Sequence, residues 1–295
     1  MRTPAIVVAV DGTDPSRAAA RWAAREAELT NQPLRLTHVM DWDWAAGRND
    51  FGGQHFETAR RFAENIAARA AHDAKTAAPD IDVDTNVAIG DAAAQLIIGS
   101  EEASLLVLGN RGHGGFAGLH LGSVSQRVAM HAKCPIVVVR GRTDPTQGPV
   151  AVGVDDAGSA DEVLEAAFTA ARARGTSLAV IRSFLPAVPP YWGHLPPAQV
   201  HIPEQDIPER ARVTAQVAPW REKFPDVPVE ILMSHDSAAA LLVGVSHGAQ
   251  LVVVGSRGHG VIAGTVLGST GLQLLHHADC PVLIVRPHGN RDSRR

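Results

Sequence analysis

The stretch Leu105 to Gly114, LLVLGNRGHG, returns at Leu251 to Gly260 as LVVVGSRGHG, 146 residues further along the chain. An apolar run that breaks into a glycine-rich loop reads as a buried strand feeding a helix, and finding it twice makes the chain a duplication. Two further stretches agree. AIVVAVDGT, Ala5 to Thr13, is answered by PVAVGVDDA, Pro149 to Ala157; HAKCPIVVVR, His131 to Arg140, is answered by HADCPVLIVR, His277 to Arg286. The expected organisation is a first domain over 1–141, a linker over 142–148 rich in turn-forming residues, a second domain over 149–288 and a disordered tail over 289–295.

Short β-branched runs alternate with Ala-rich segments in each copy. In the first, strands are expected over 6–10, 34–40, 83–88, 105–109 and 136–140, with helices over 15–30, 54–77, 92–102 and 123–131. In the second, strands are expected over 150–154, 177–183, 227–232, 251–255 and 282–286. Alternating strands and helices imply an α/β fold: two tandem doubly wound units, each a five-stranded parallel sheet with helices on both faces. Ligands of such sheets bind at the carboxyl ends of the strands, near the point where strand order reverses.

Composition narrows the class of ligand. Of 295 residues, 27 are Lys or Arg and 31 are Asp or Glu, and a net charge of −4 speaks against a general electrostatic hold on nucleic acid. Cys134 and Cys280 each precede a proline and an apolar run, the pattern of thiols at the start of buried strands. The first residues run straight into a β-like segment, and no stretch approaches the roughly 18 apolar residues of a membrane span. A soluble, cytoplasmic protein with a small-molecule ligand is the expectation.

The fourth-strand loops carry the site. Gly109, Asn110, Arg111, Gly112, His113, Gly114, Gly115 and Gly118 lead to Gly122, Ser123 and Val124. Gly255, Ser256, Arg257, Gly258, His259, Gly260, Val261 and Gly264 lead to Gly268, Ser269 and Thr270. From Gly109 to Ser123 the two loops agree at 10 of 15 positions, so both are expected to do the same work. Glycines there permit positive φ and close approach of a ligand to the backbone. The Gly-Ser pairs stand at a helix start, where free N–H groups and the helix dipole favour phosphate and the hydroxyl can cap the helix or bond the ligand. A glycine-rich turn that only reverses the chain is the plainer alternative, but five or more glycines exceed what a turn needs. Arg111 and Arg257 are open between phosphate pairing and solvation; His113 and His259 are open between solvation, phosphate contact and catalysis. Asp11 and Asp155 end the first strand of each copy, placed to meet a ribose, an adenine or a phosphate-bound cation, or else to cap the next helix, a task open also to Thr13, Asp14, Asp156 and Ser159.

On these residues the chain resembles a tandem universal stress protein of the ATP-binding type, with an adenine nucleotide α-hydrolase-like, Rossmann-like fold. The family's loop spacing is met by Gly109, Gly112, Gly122 and Ser123, and again by Gly255, Gly258, Gly268 and Ser269. The resemblance implies ATP as ligand, with Mg near Asp11 and Asp155. Ala9, Val10, Asp11 and Val39 would meet the nucleoside in the first site, and Gly153, Val154, Asp155 and Ser183 in the second. It also implies a homodimer or a tandem pairing through the fifth strands, and no membrane or nucleic-acid partner. Two departures unbalance the sites: Ala9 replaces the glycine of the second copy and would crowd a nucleotide, while Asp156 replaces Gly12 and would add repulsive charge. The segments 42–56 and 185–208 are lids or irregular surface loops. Function is expected to be nucleotide-dependent regulation in a stress response, carried by an unidentified partner protein. The alternative is a slow ATPase, for which no Walker Gly-Lys-Ser/Thr, HxGH or HExxH signature is present.

Overall fold

Most strands of the fold are short and apolar because they are enclosed on both faces, whereas Val83–Ile89 and Val229–Ser234 hold no buried residue. The structure, a computed structural model, describes residues 4–42, 53–113, 121–184, 203–256 and 267–286. The chain divides into two compact units, Met1–Thr143 and Asp144–Arg295.

The first unit runs β1 (Ile6–Ala9), α1 (Asp14–Thr30), β2 (Leu34–Met40), α2 (Gln54–Ala77), β3 (Val83–Ile89), α3 (Ala92–Gly99), β4 (Leu105–Gly109), α4 (Ser123–His131) and β5 (Ile136–Val139). The second runs β6 (Val150–Gly153), α5 (Ala160–Ala173), β7 (Leu178–Ser183), α6 (Pro203–Lys223), β8 (Val229–Ser234), α7 (Ala238–Ser246), β9 (Leu251–Gly255), α8 (Ser269–His277) and β10 (Val282–Val285). Strand order is β3-β2-β1-β4-β5 in the first unit and β8-β7-β6-β9-β10 in the second. Every pair within a unit is parallel, with Val8 opposite Leu36 and Val107, and Val152 opposite Val180 and Val253. Order reverses between β1 and β4 and between β6 and β9, which puts the two cleft positions at Asp11 and Asp155.

The core is the strand runs themselves. All four residues of β5 and of β10 are buried, and Leu106, Val107, Val252 and Val253 have no exposed surface. Burying each such side chain contributes roughly 1.5–3 kcal/mol. The helices lay alanine against the sheet: Ala19, Ala20, Ala23, Ala24 and Ala27 of α1 are fully enclosed, so the helix axis can approach closely. Thr13 caps α1, accepting from the Ser16 amide at 3.5 Å, and Asn31 closes it at φ 50°.

Many boundaries differ from expectation, most by a single residue, and three stand out. Strand β8 starts at Val229 and not at 227, because Pro228 has no N–H for the ladder and Val227 instead donates to Phe224 O at 3.2 Å. Helix α3 ends at Gly99, with Ser100 as its C-cap, three residues short of Glu102. Residues 203–208, read as part of an irregular segment, form the first turns of α6. On the other segment, Trp42 meets Phe56 edge to face at 5.2 Å. Residues 43–52, 185–202 and the expected tail over 289–295 lie outside the described residues.

Candidate functional site

In the second unit the carboxyl ends of β6, β7 and β9 open onto a cleft of about 290 Å³. Its walls include Gly153, Val154, Asp155, Ser183, Gly255, Gly268, Ser269 and Thr270, all expected from sequence. They also include Ser159, Ala160 and Val163 of α5, Ala238 and Leu242 of α7, and Gly271 of α8. Ser159 was named only as a capping candidate, and Ala160, Val163, Ala238 and Leu242 were missed because they sit on ordinary apolar helix faces; only the right-handed stacking of helices over the switch point brings them in. Arg257, Gly258, His259, Gly260, Val261 and Gly264 lie outside the described residues, as do Gly114, Gly115 and Gly118 of the first loop.

Helix α8 is aimed at this cleft by a backbone clasp. Ser256 donates to Val285 O at 2.8 Å and Gly268 donates to Ser256 O at 2.9 Å, which fixes the start of the loop to β10 and its two ends to each other. The first unit repeats the clasp, with Asn110 on Val139 O at 3.1 Å and Gly122 on Asn110 O at 2.8 Å. The N-cap of each following helix is the glycine, Gly122 or Gly268, without a side-chain cap bond. Ser123 and Ser269 are therefore the first helical residues and not caps. That correction favours an anion site, because the leading N–H groups have no hydroxyl in front of them.

The glycines also act differently from expectation. Gly109, Gly112, Gly122, Gly255 and Gly268 all lack positive φ. What they supply is close approach. A Cβ on Gly109 would sit 2.8 Å from the backbone C and O of Pro15, and one on Gly112 would run into the Asp11 carboxylate. At Gly153 a Cβ would lie 2.8 Å from Leu242 Cδ1, so this glycine admits a leucine to the cleft wall.

In the first unit the loop folds onto the strand end. His113 Nε2 is 2.8 Å from Asp11 O, a backbone contact added to the solvent exposure that the imidazole keeps. The Asp11 carboxylate accepts from Thr13 N at 3.0 Å and Thr13 Oγ1 at 2.6 Å. Burial opposes its charge, but the Thr13 bonds, the Ser16 hydroxyl and the His113 imidazole outweigh that and hold it below the usual carboxylate range. Arg111 is exposed, Val39 and Asn110 are half-buried, and Ser123 and Val124 face solvent. Asp11 and His113 line a different cavity, of about 640 Å³, between the β1–α1 turn and α2.

The charge expected of Asp156 is cancelled. Its carboxylate is 2.7 Å from Arg182 Nη2, and Arg182 Nε is 2.7 Å from Glu209 of α6. Arg182 and Glu209 are both buried. Burial works against the guanidinium charge, yet the bonds to Asp156 and Glu209 raise its pKa further. Arg212 joins at 3.0 Å from Glu209, and Gln216 Nε2 donates to Asp155 O at 3.0 Å. Asp155 itself accepts from Ala157 N at 3.0 Å and does not cap α5, whose N-cap is Ser159. Ser183 Oγ donates to Asp236 O. Among the described residues no group of three His, Cys, Asp or Glu side chains is placed to hold a metal ion, and no helix is long and apolar enough to cross a membrane.

Two α/β units with parallel strands, each with a glycine loop clasped at the switch point, define a tandem doubly wound protein. Residues 3–140 and 148–286 each match the model of the Universal stress protein family, and the chain belongs to that family. It is 33% identical over 295 residues to a universal stress protein of Mycolicibacterium smegmatis, covering 96% of this chain and 97% of that one. A universal stress protein of Mycobacterium tuberculosis is 32% identical, covering 95% and 96%. In fold it is similar to a universal stress protein from Archaeoglobus fulgidus, with a TM-score of 0.72 and 19% identity over 97% of this chain and 98% of that chain.

Proposed function

We propose that the chain is an ATP-binding regulatory module whose principal site is the second-unit cleft. The observation that carries this reading is the uncapped N-terminus of α8, with Ser269 and Thr270, opening into the same cleft as Asp155 and Ser183. Free helix N–H groups and the positive dipole end suit phosphate oxygens. Asp155 suits ribose hydroxyls, and the apolar wall of Ile181, Val163 and Leu242 suits a base. Unequal loading follows from the first-unit loop being fastened onto Asp11.

Equilibrium dialysis with radiolabelled ATP tests the reading. Tight binding lost in Asp155→Ala, with at most one turnover per site, is the expected result. Sustained hydrolysis by the wild-type chain would replace it with the slow-ATPase reading, and unchanged affinity in Asp155→Ala would remove the second cleft as the principal site.

A further inference from the structure

The duplication supplies an internal control for the 640 Å³ cavity of the first unit. Helices α2 and α6 correspond at the same 146-residue spacing as the loops, with buried Ala63 and Ala67 matching buried Glu209 and Val213. By that spacing Ile66 matches Arg212 and Ala70 matches Gln216, while the β1 and β6 turns pair Gly12 with Asp156. The strand registers pair Thr37 with Ala9 and Ile181 with Gly153, so His38 corresponds to Arg182.

The second unit thus fills this region with its own polar atoms. Arg182, Asp156, Glu209, Arg212 and Gln216 bond to one another or to Asp155 O. The first unit has small or apolar residues at four of those five places. Its fifth, His38, turns away to bond Val10 O at 2.7 Å. Gly12 adopts φ +88°, and the nearest neighbour of a Cβ there would be Ile66 at 3.6 Å. The result is an open cleft walled by Ile66, Ala70 and Phe62 on one side and by Asp11, Gly12, Arg17 and His113 on the other.

Donors outnumber acceptors in it. The Asp73 carboxylate is held by Arg17 at 2.8 Å, and that of Asp11 is engaged by Thr13. Both acidic groups of the wall are therefore already partnered. Arg69, Asn65 and the Gly12 N–H line the same cleft without a hydrogen-bond partner among the described residues. Phe62 is 68% exposed at the cleft, an unusual position for phenylalanine on a helix that otherwise buries alanine.

We propose that this cleft is a second ligand site of the chain, separate from the nucleotide cleft of the second unit, and that it takes a small organic carboxylate with an aromatic or aliphatic body. The carboxylate meets Arg69 and Asn65, and the body lies over Phe62, Ile66 and Ala70. The volume falls within the roughly 300–1,000 Å³ of small-molecule sites. A guanidinium with no internal partner gives the anion a charge-assisted bond without breaking an existing pair.

The test is isothermal titration of the full chain with phenylacetate in the presence of saturating ATP, beside phenylacetamide as the neutral analogue. Saturable binding of phenylacetate is expected, weaker by about tenfold or more for the amide. Ile66→Arg and Ala70→Gln install the residues that the second unit carries at the same places, and each is expected to abolish phenylacetate binding while leaving ATP affinity unchanged. Arg69→Gln is expected to weaken it by about tenfold. Absence of saturable heat, equal affinity for acid and amide, undiminished binding in both filling variants, or displacement of phenylacetate by ATP would each overturn the proposal.

Discussion

His113 Nε2 and the carbonyl oxygen of Asp11, 102 residues apart in the chain, are joined by a 2.8 Å hydrogen bond, whereas the corresponding carbonyl of Asp155 is taken by Gln216 from α6. The same acceptor at the end of the first strand is thus satisfied by the glycine loop in one unit and by a helix in the other.

His113→Ala is expected to release the first loop at a cost of about 1 kcal/mol or less, the net value of one partly exposed hydrogen bond. Hydrogen exchange at Asn110 and Arg111 should accelerate while exchange in the second unit is unchanged. Equal protection of the loop in the variant would mean that the backbone clasp at Gly122 holds it unaided.

Acid stability is set in part by Asp11 and Asp73, both of which titrate below the ordinary carboxylate range. For Asp73 the cause is the Arg17 hydrogen bond, which outweighs burial; for Asp11, burial is outweighed by Thr13. The folded chain therefore binds these protons more weakly than the unfolded chain. Their contribution is complete above the unfolded carboxylate value, about 3.9, and is lost as pH falls through the lower folded values. Thr13→Val should flatten the fall in denaturation midpoint between about pH 4 and pH 2 and cost about 1 kcal/mol at neutral pH through the lost cap. An unaltered acid limb would mean that Asp11 has no part in it.

Arg182→Met should be among the costliest single substitutions in the second unit. It leaves the buried carboxylate of Glu209 with only the half-exposed Arg212, and breaking one side of a buried ion pair costs about 3–5 kcal/mol. Urea unfolding measures this directly. Replacing Arg182, Asp156 and Glu209 together with apolar residues is expected to recover most of the loss, since no charge is then left stranded.

Gly109→Ala is expected to destabilise the first unit by about 1–3 kcal/mol, because its Cβ meets rigid backbone at Pro15. Gly153→Ala should cost less, since the atom it meets belongs to the movable Leu242 side chain. Thermal melts of the two variants compare the cases; equal shifts would show that the β4–α1 approach can relax.

The fold was legible because its signals are local. Runs such as LVVVG and IVVV identify buried parallel strands wherever they occur, and the repeated loop located both switch points. The cleft was legible only along the chain segments that form it: Asp155, Gly268 and Ser269 could be named, but Leu242 and Val163 could not, since nothing in a Val or Leu on an apolar helix face distinguishes a cleft wall from a core. Of the two reasons given for the glycines, positive φ does not hold at Gly109, Gly112, Gly122, Gly255 or Gly268, whereas close approach does at Gly109 and Gly112. Positive φ is a property of the residue alone, whereas the approach of Gly109 to Pro15 belongs to two elements packed together. Asp156 misled for the same cause. Its charge is written in the sequence, but its partners Arg182 and Arg212 lie 26 and 56 residues further on, on a neighbouring strand and a covering helix.

That network also constrains how the two halves can change. Starting from the second unit, Asp156 cannot be exchanged for the glycine of its twin without weakening the hold on Arg182, and Arg182 cannot be exchanged for histidine without stranding Glu209. Both of these single steps toward the other copy pass through a less stable chain. The paired charges act as a ratchet on sequence drift, keeping the second half from returning to the open cleft of the first.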